Sequence, residues 1–192
     1  MYNLGAIESK SEMPRMGLPA RIEPRRTNAQ EEKTMEPNVV FEDRYYEVIA
    51  PRSPYNCRDD GGHLILIKKV PVHDRSDLTW QEALDFMRIS MAVGRAMYEV
   101  VGVERMNYED LGNWGLDRPG GSVMHLHFIG RAKVQIHQIR GHHLAIMPQG
   151  HPIYSGHLKP FTTEDVLVLR ARVADILQEE KYRRMAEMAE VD

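Results

Sequence analysis

The stretch "LTWQEALDFMRISMAVGRAMYEVVG", residues 78–102, constrains the fold more than any other part of the chain. Thr79 and Glu82 have the spacing of a capping box, in which a hydroxyl and a carboxylate satisfy each other's free N–H groups at a helix start. Ala83, Met87, Met91, Gly94, Met97 and Val101 fall near one helical stripe, and Gly102 is a natural stop because glycine tolerates the left-handed conformation that ends helices. One long helix is therefore expected here, with the methionines Met87, Met91 and Met97 packed in the core.

Strand signals flank it. "VVFEDRYYEVIAP" and "GGHLILIKK" are β-branched and aromatic runs separated by the turn-rich insert "PRSPYNCRDDGG", and together predict two or three strands. After the helix, "RMNYEDLGNWG" reads as a strand running into a loop, followed by a histidine-bearing strand within "GGSVMHLHFIGRAK" and by "HHLAIMP". A last helix is expected from Thr162, burying Val166, Leu169, Val173 and Ile176 or Leu177, with a charged tail from Gln178. Strands grouped around one long helix imply an α+β protein, an antiparallel sheet covered by helices, instead of alternating βαβ units.

Residues 1–37 are rich in Pro, Arg, Glu and Lys and carry no apolar period, so they are expected to form an extended or disordered arm ahead of a single folded domain, residues 38–192. The net charge of −3, from 25 basic and 28 acidic residues spread along the chain, offers no field for nucleic acid or a membrane surface. Neither partner is expected. The one cysteine, Cys57, excludes an intrachain disulfide and a cysteine-built zinc site, and no apolar stretch is long enough for a membrane span; both fit a cytoplasmic protein.

The chemistry concentrates in "GGSVMHLHFIGRAK", residues 120–133. Side chains alternate along a strand, so His125, His127 and Ile129 share one face, and Met124, Leu126 and Phe128 the other. Paired histidines can be structural, or can ligate a metal. A metal needs a third ligand, and Arg131 and Lys133 beyond the pair repel a cation; His63, His142, His143 and His151 lack diagnostic spacing, so no metal site and no cofactor is expected. Phosphoryl chemistry fits better. A neutral imidazole is nucleophilic at physiological pH and a neighbouring ring can stabilise charge. Gly120, Gly121 and Ser122 offer N–H groups and a hydroxyl for a phosphate, and Asn113 an amide. Arg131 and Lys133 are candidates to meet distal phosphates, or else form a solvated charged strand end.

With these residues the chain resembles the histidine triad (HIT) family of nucleotide hydrolases and transferases, over about Val39 to Phe161. "GGHLILIKK" is similar to that family's Gly-His strand ending in a basic residue, and "NWGLDRPGGSVMHLH" to its Asn-x-Gly loop, phosphate loop and histidine strand, in the same order around the long helix. The resemblance implies a homodimer and a nucleotide substrate, attacked at the α-phosphate of a phosphoramidate or dinucleoside polyphosphate to form a nucleotidyl-histidine. A nucleotide-binding module that has lost turnover, or a His-ligated metal enzyme, are the alternatives.

The family pattern is His-x-His-x-His, and this chain has two of the three. Anchored on "SVMH", His127 is the nucleophile, His125 the first histidine, and Ile129 replaces the third; anchored on "HFIGR", His125 is the nucleophile, His127 the third, and Val123 replaces the first. The stretch Asn113 to His125 favours the first register. In it Ser122 and Asn113 donate to the oxyanion, with Gly121 in the phosphate loop. The family's acidic ribose contact has no counterpart at Ala50 or Pro51; Asp59 and Asp60 in the insert are either its replacement or, as such loop residues usually are, solvated. A loop near the active face could return His142 or His143 to the gap at Ile129. The resemblance gives His63 a structural role.

Overall fold

A computed structural model describes residues 35–36, 38–146 and 158–190. Five strands, β1 (Val39–Glu42), β2 (Tyr46–Ile49), β3 (His63–Lys68), β4 (Arg105–Glu109) and β5 (His125–Arg131), form one antiparallel sheet in the order β1-β2-β3-β5-β4. Helices α1 (Trp80–Ala96), α2 (Thr163–Leu177) and α3 (Glu180–Ala189) complete an α+β fold. The arm expected at residues 1–37 falls, but for 35 and 36, outside the described residues, as does His151.

Alternation along the strands sorts the sheet into two faces. Val48, Leu64, Leu66, Leu126 and Phe128 point into the core formed with Phe86, Ile89 and Val93 of α1 and Val166, Leu169 and Val173 of α2. Tyr46, fully buried, donates its hydroxyl to the Glu82 carbonyl at 2.8 Å. At the end of β3, buried Lys68 reaches Glu82 Oε1 at 2.7 Å, so the carboxylate that caps α1 also pairs with the sheet.

Both capping boxes form, Thr79 with Glu82 and Thr162 with Asp165. The first helical run continues through a π-helical turn, Met97–Val101, and ends at Gly102 with φ +73°. Its buried stripe keeps Gly94 and Met97 of the expected one, with Met91 packed against the core, and departs from it elsewhere. Phe86, Ile89, Val93 and Met97 face the core, whereas Met87 is 50% exposed, because the sheet meets the helix about one residue round from the methionine stripe. α2 buries Val166, Leu169, Val173, Ile176 and Leu177 as expected. The charged tail folds too: α3 buries Tyr182 and Ala189 and packs on α1. The described part of "HHLAIMP", residues 142–146, forms no strand.

The loop after β5 is fastened by one carboxylate. Asp60, fully buried, accepts from the N–H groups of Ile136 at 2.5 Å, His137 at 2.7 Å and Gln138 at 3.1 Å. Asn56 Nδ2 donates to the Gly130 carbonyl at 2.7 Å. Here Gly61 and Gly130 meet backbone to backbone: a Cβ on Gly130 would lie 2.1 Å from the Gly61 oxygen. Among the described residues no helix is long and apolar enough to cross a membrane.

Candidate functional site

The second face of the sheet carries the histidines. Across the strands Ile67 stands opposite His125, Ile65 and Glu109 flank His127 from either side, and Ile49 stands opposite Ile65. Burial deepens along β5: His125 is partly exposed, His127 only 2% exposed, and Ile129 and Arg131 are buried.

Partner atoms assign the ring protons. The backbone N–H of Tyr55 donates to His63 Nδ1 at 3.0 Å, so the proton of neutral His63 sits on Nε2. That Nε2 lies 2.8 Å from His127 Nδ1 and donates to it, which leaves the proton of neutral His127 on its own Nε2. Both rings are neutral at physiological pH. Burial, with repulsion from His127 and His125, holds His63 down at about 3; burial, with repulsion from His125, holds His127 at about 4. His127 Nε2 is buried without a hydrogen-bond partner. Such a donor costs about 1–3 kcal/mol, which an acceptor placed there would remove.

His125 has the opposite tautomer. Its Nδ1 donates to the Val123 carbonyl at 2.8 Å, so in the neutral ring Nε2 holds the lone pair. The four rings form a cluster: Tyr55 stacks on His63 at 5.1 Å and lies tilted 5.3 Å from His127, and His125 meets His127 edge-on at 4.7 Å.

His125 also lines a cavity of about 310 Å³ whose wall includes Gly112, Gly115, Arg118, Gly120, Gly121 and Val123. Asn113 is exposed in the turn Gly112–Gly115 that supplies part of this wall. Ser122 packs against the same turn, its Oγ where a Cβ on Gly112 would fall. Gly121 lies in the wall, but its N–H donates to the Arg118 carbonyl at 2.9 Å and closes a turn.

Several residues singled out in the sequence have other work. Arg131 is buried and donates to Gln135 Oε1 and the Ile139 carbonyl, so it is the anchor of a loop instead of a phosphate contact. Asp60 is fully buried beneath three N–H groups and so is not available as a ribose contact, while Asp59 lies at the surface in an ion pair with Lys159. His142 and His143 are exposed and stand outside the ring cluster. Among the described residues no three His, Cys, Asp or Glu side chains are grouped to hold a metal. Two residues were not legible in advance: Tyr55, which no spacing marks, and His73, whose Nδ1 donates to the Ser122 carbonyl at 2.9 Å.

An α+β sheet with one helix-covered face and paired histidines on the other is a HIT-like architecture, as the sequence resemblance implies. No family model matches the chain, and neither does any curated protein sequence. Solved structures are similar to it. A histidine triad protein from Marinobacter aquaeolei VT8 is 20% identical, with 73% of this chain and 88% of that chain covered and a TM-score of 0.48. A hypothetical histidine triad nucleotide-binding protein from Sulfolobus tokodaii is 12% identical, with 74% and 87% covered and a TM-score of 0.49. A zinc-bound histidine triad family protein from Mycobacterium smegmatis is 19% identical, with 72% and 84% covered and a TM-score of 0.48.

Proposed function

We propose that the protein binds a nucleotide and cleaves it at the α-phosphate through a nucleotidyl-histidine, with His125 as the nucleophile. One observation carries the assignment: His125 directs its proton to the Val123 carbonyl and so keeps a lone pair on Nε2, while His127 carries a proton on the corresponding nitrogen. The two roles expected for these residues from the stretch Asn113 to His125 are thereby exchanged. Val123, exposed at the cavity wall, then stands where the triad's first histidine would be, and Ile129 is an ordinary apolar strand residue.

Nε2 of His125 attacks phosphorus, the bond from phosphorus to the leaving group breaks, and the leaving group departs with the electron pair. The Val123 carbonyl, accepting from Nδ1–H, stabilises the positive charge that the ring acquires. His127 Nε2–H, with no protein acceptor, donates to a phosphate oxygen as charge develops. Gly120, Ser122 and Asn113 supply further donors, and Gly121 keeps the wall free of side chain. Water then attacks phosphorus, the N–P bond breaks, its electrons return to Nε2, and nucleoside monophosphate and a proton leave. An acceptor other than water makes the same chemistry a transfer. Ile49, Ile65 and Ile67, on the face shared with the histidines, offer an apolar shelf for a base.

A homodimer fits the same reading. β4 is an edge strand, and beside it Met87, Met91, Phe86 and Tyr108, with Arg75 and Ser90, line a mainly apolar cavity of about 370 Å³ in which Met87 and Tyr108 are half exposed. Sedimentation of wild type against Tyr108→Glu tests it, a monomeric wild type being the contrary result. The reaction is tested by release of nucleoside monophosphate from adenosine and guanosine phosphoramidates and dinucleoside polyphosphates, with chelator present. A nucleotidyl adduct on His125, seen by mass spectrometry after an acid quench, is the expected result. Nucleotide binding with no turnover on any substrate would leave a binding module in place of an enzyme.

A further inference from the structure

We propose that His73 is a positioning residue for His125, acting through the segment Ser122–Met124; the catalytic part of this inference rests on the function proposed above. His73 lies in the connection between β3 and α1, far from β5 in sequence. Its Nδ1 faces a carbonyl oxygen, that of Ser122, at 2.9 Å, so it must donate there whether the ring is neutral or cationic. The adjacent residue makes a second tie: the Met124 N–H donates to the Val72 carbonyl at 2.9 Å.

These two bonds bracket the carbonyl that sets the His125 tautomer. A peptide unit is planar, so the Val123 C=O and the Met124 N–H move together, and the bond to Val72 fixes their common plane. The bond from His73 fixes the peptide unit before it. Upstream, Gly120 and Gly121 both have positive φ with open space at the Cβ position, and the chain is tied by the Gly121 N–H to the Arg118 carbonyl and by the packing of Ser122 on Gly112 and Gly115. His73 grips the backbone from outside the loop directly after that glycine pair. Without it, the Val123 peptide keeps the bond to Val72 and the packing of Ser122 on Gly112 and Gly115 but loses the tie directly before it, and its carbonyl holds the His125 Nδ1 proton less firmly. An imidazole released from that carbonyl can move its proton to Nε2, which removes the lone pair.

The test is long-range ¹H–¹⁵N correlation of the histidine rings in the full chain, for wild type, His73→Ala, His73→Asn and His73→Gln. The Asn amide places an N–H near the position of Nδ1, whereas Gln reaches toward that of Nε2. In wild type His125 is expected as the Nδ1–H tautomer; in His73→Ala the Nε2–H form gains population, and His73→Asn restores the wild-type signals. Turnover follows, with kcat falling on the order of three- to tenfold in His73→Ala and KM staying within about twofold, as for loss of one neutral hydrogen bond felt in the transition state. Unchanged His125 signals in His73→Ala, or a His73→Asn no better than His73→Ala, would overturn the proposal. If His73→Ala does not fold, the comparison of Asn with Gln decides, equal tautomer populations counting against it. A wild type that turns over nothing removes the functional reading alone, since the ring signals still report whether His73 sets the tautomer.

Discussion

His63 Nε2 donates to His127 Nδ1 across 2.8 Å, and Tyr55 N–H holds the far side of His63. This chain points one way, from backbone to His63 to His127, and ends at a buried N–H. It makes His127 a donor.

His125→Ala is expected to lower kcat/KM on the order of 10⁴-fold or more, as for loss of a nucleophile. His127→Ala should cost on the order of 10²-fold, as for one oxyanion donor, and should still form the adduct in a single turnover. Rapid-quench kinetics separates the two. An adduct in His125→Ala but not in His127→Ala would restore the opposite assignment.

Acid should destabilise the fold before it protonates most carboxylates. His63 at about 3 and His127 at about 4 lie below their unfolded value of 6.5, so between those limits the unfolded chain binds more protons than the folded one. Their contribution is complete above pH 6.5 and is lost as pH falls, at up to about 1.4 kcal/mol per pH unit for each ring. Urea denaturation at about pH 7, 6 and 5 measures this. The double variant His63→Gln, His127→Gln should show a flatter profile, and identical slopes would mean that the rings titrate alike folded and unfolded.

Asp60→Ala should cost about 2–4 kcal/mol, because three N–H groups lose a charged acceptor. Proteolysis within residues 132–146 should rise in parallel. Discrimination between ribose and deoxyribose substrates should not change; a selective loss of the ribose substrates would instead make Asp60 a ligand contact.

Gly130→Ala should destabilise by about 2–3 kcal/mol through overpacking, since its Cβ would sit 2.1 Å from the Gly61 oxygen and 2.6 Å from Val103 Cγ1. The denaturation midpoint should fall while the slope stays constant. Gly120→Ala makes no such contact, although its φ of +93° adds local strain, so its smaller loss serves as the comparison.

Local chemistry made much of the fold legible. The Thr79 cap, the helix start at Thr162, the stop at Gly102 and the alternation that puts His125 and His127 on one face depend on residues a few positions apart, and each stands as expected. The methionine stripe of α1 followed only in part: Met97 is fully buried and Met91 packs against the core, but Met87 ends half exposed, because which helix face is buried depends on where the sheet lies.

The sequence by itself therefore determined the α+β layout, the starts of α1 and α2 and the stop at Gly102, and the pairing of two imidazoles on one strand face, because capping, glycine conformation and strand alternation are short-range. Only the tertiary structure decided what each imidazole does. A ring's proton goes where its partner requires, and the partner of His127 stands 64 residues away on β3, oriented in turn by a Tyr55 N–H that no side-chain pattern reveals. His125 takes its proton assignment from a carbonyl two residues back, a local contact whose geometry is nonetheless held by Val72 and His73 from another loop.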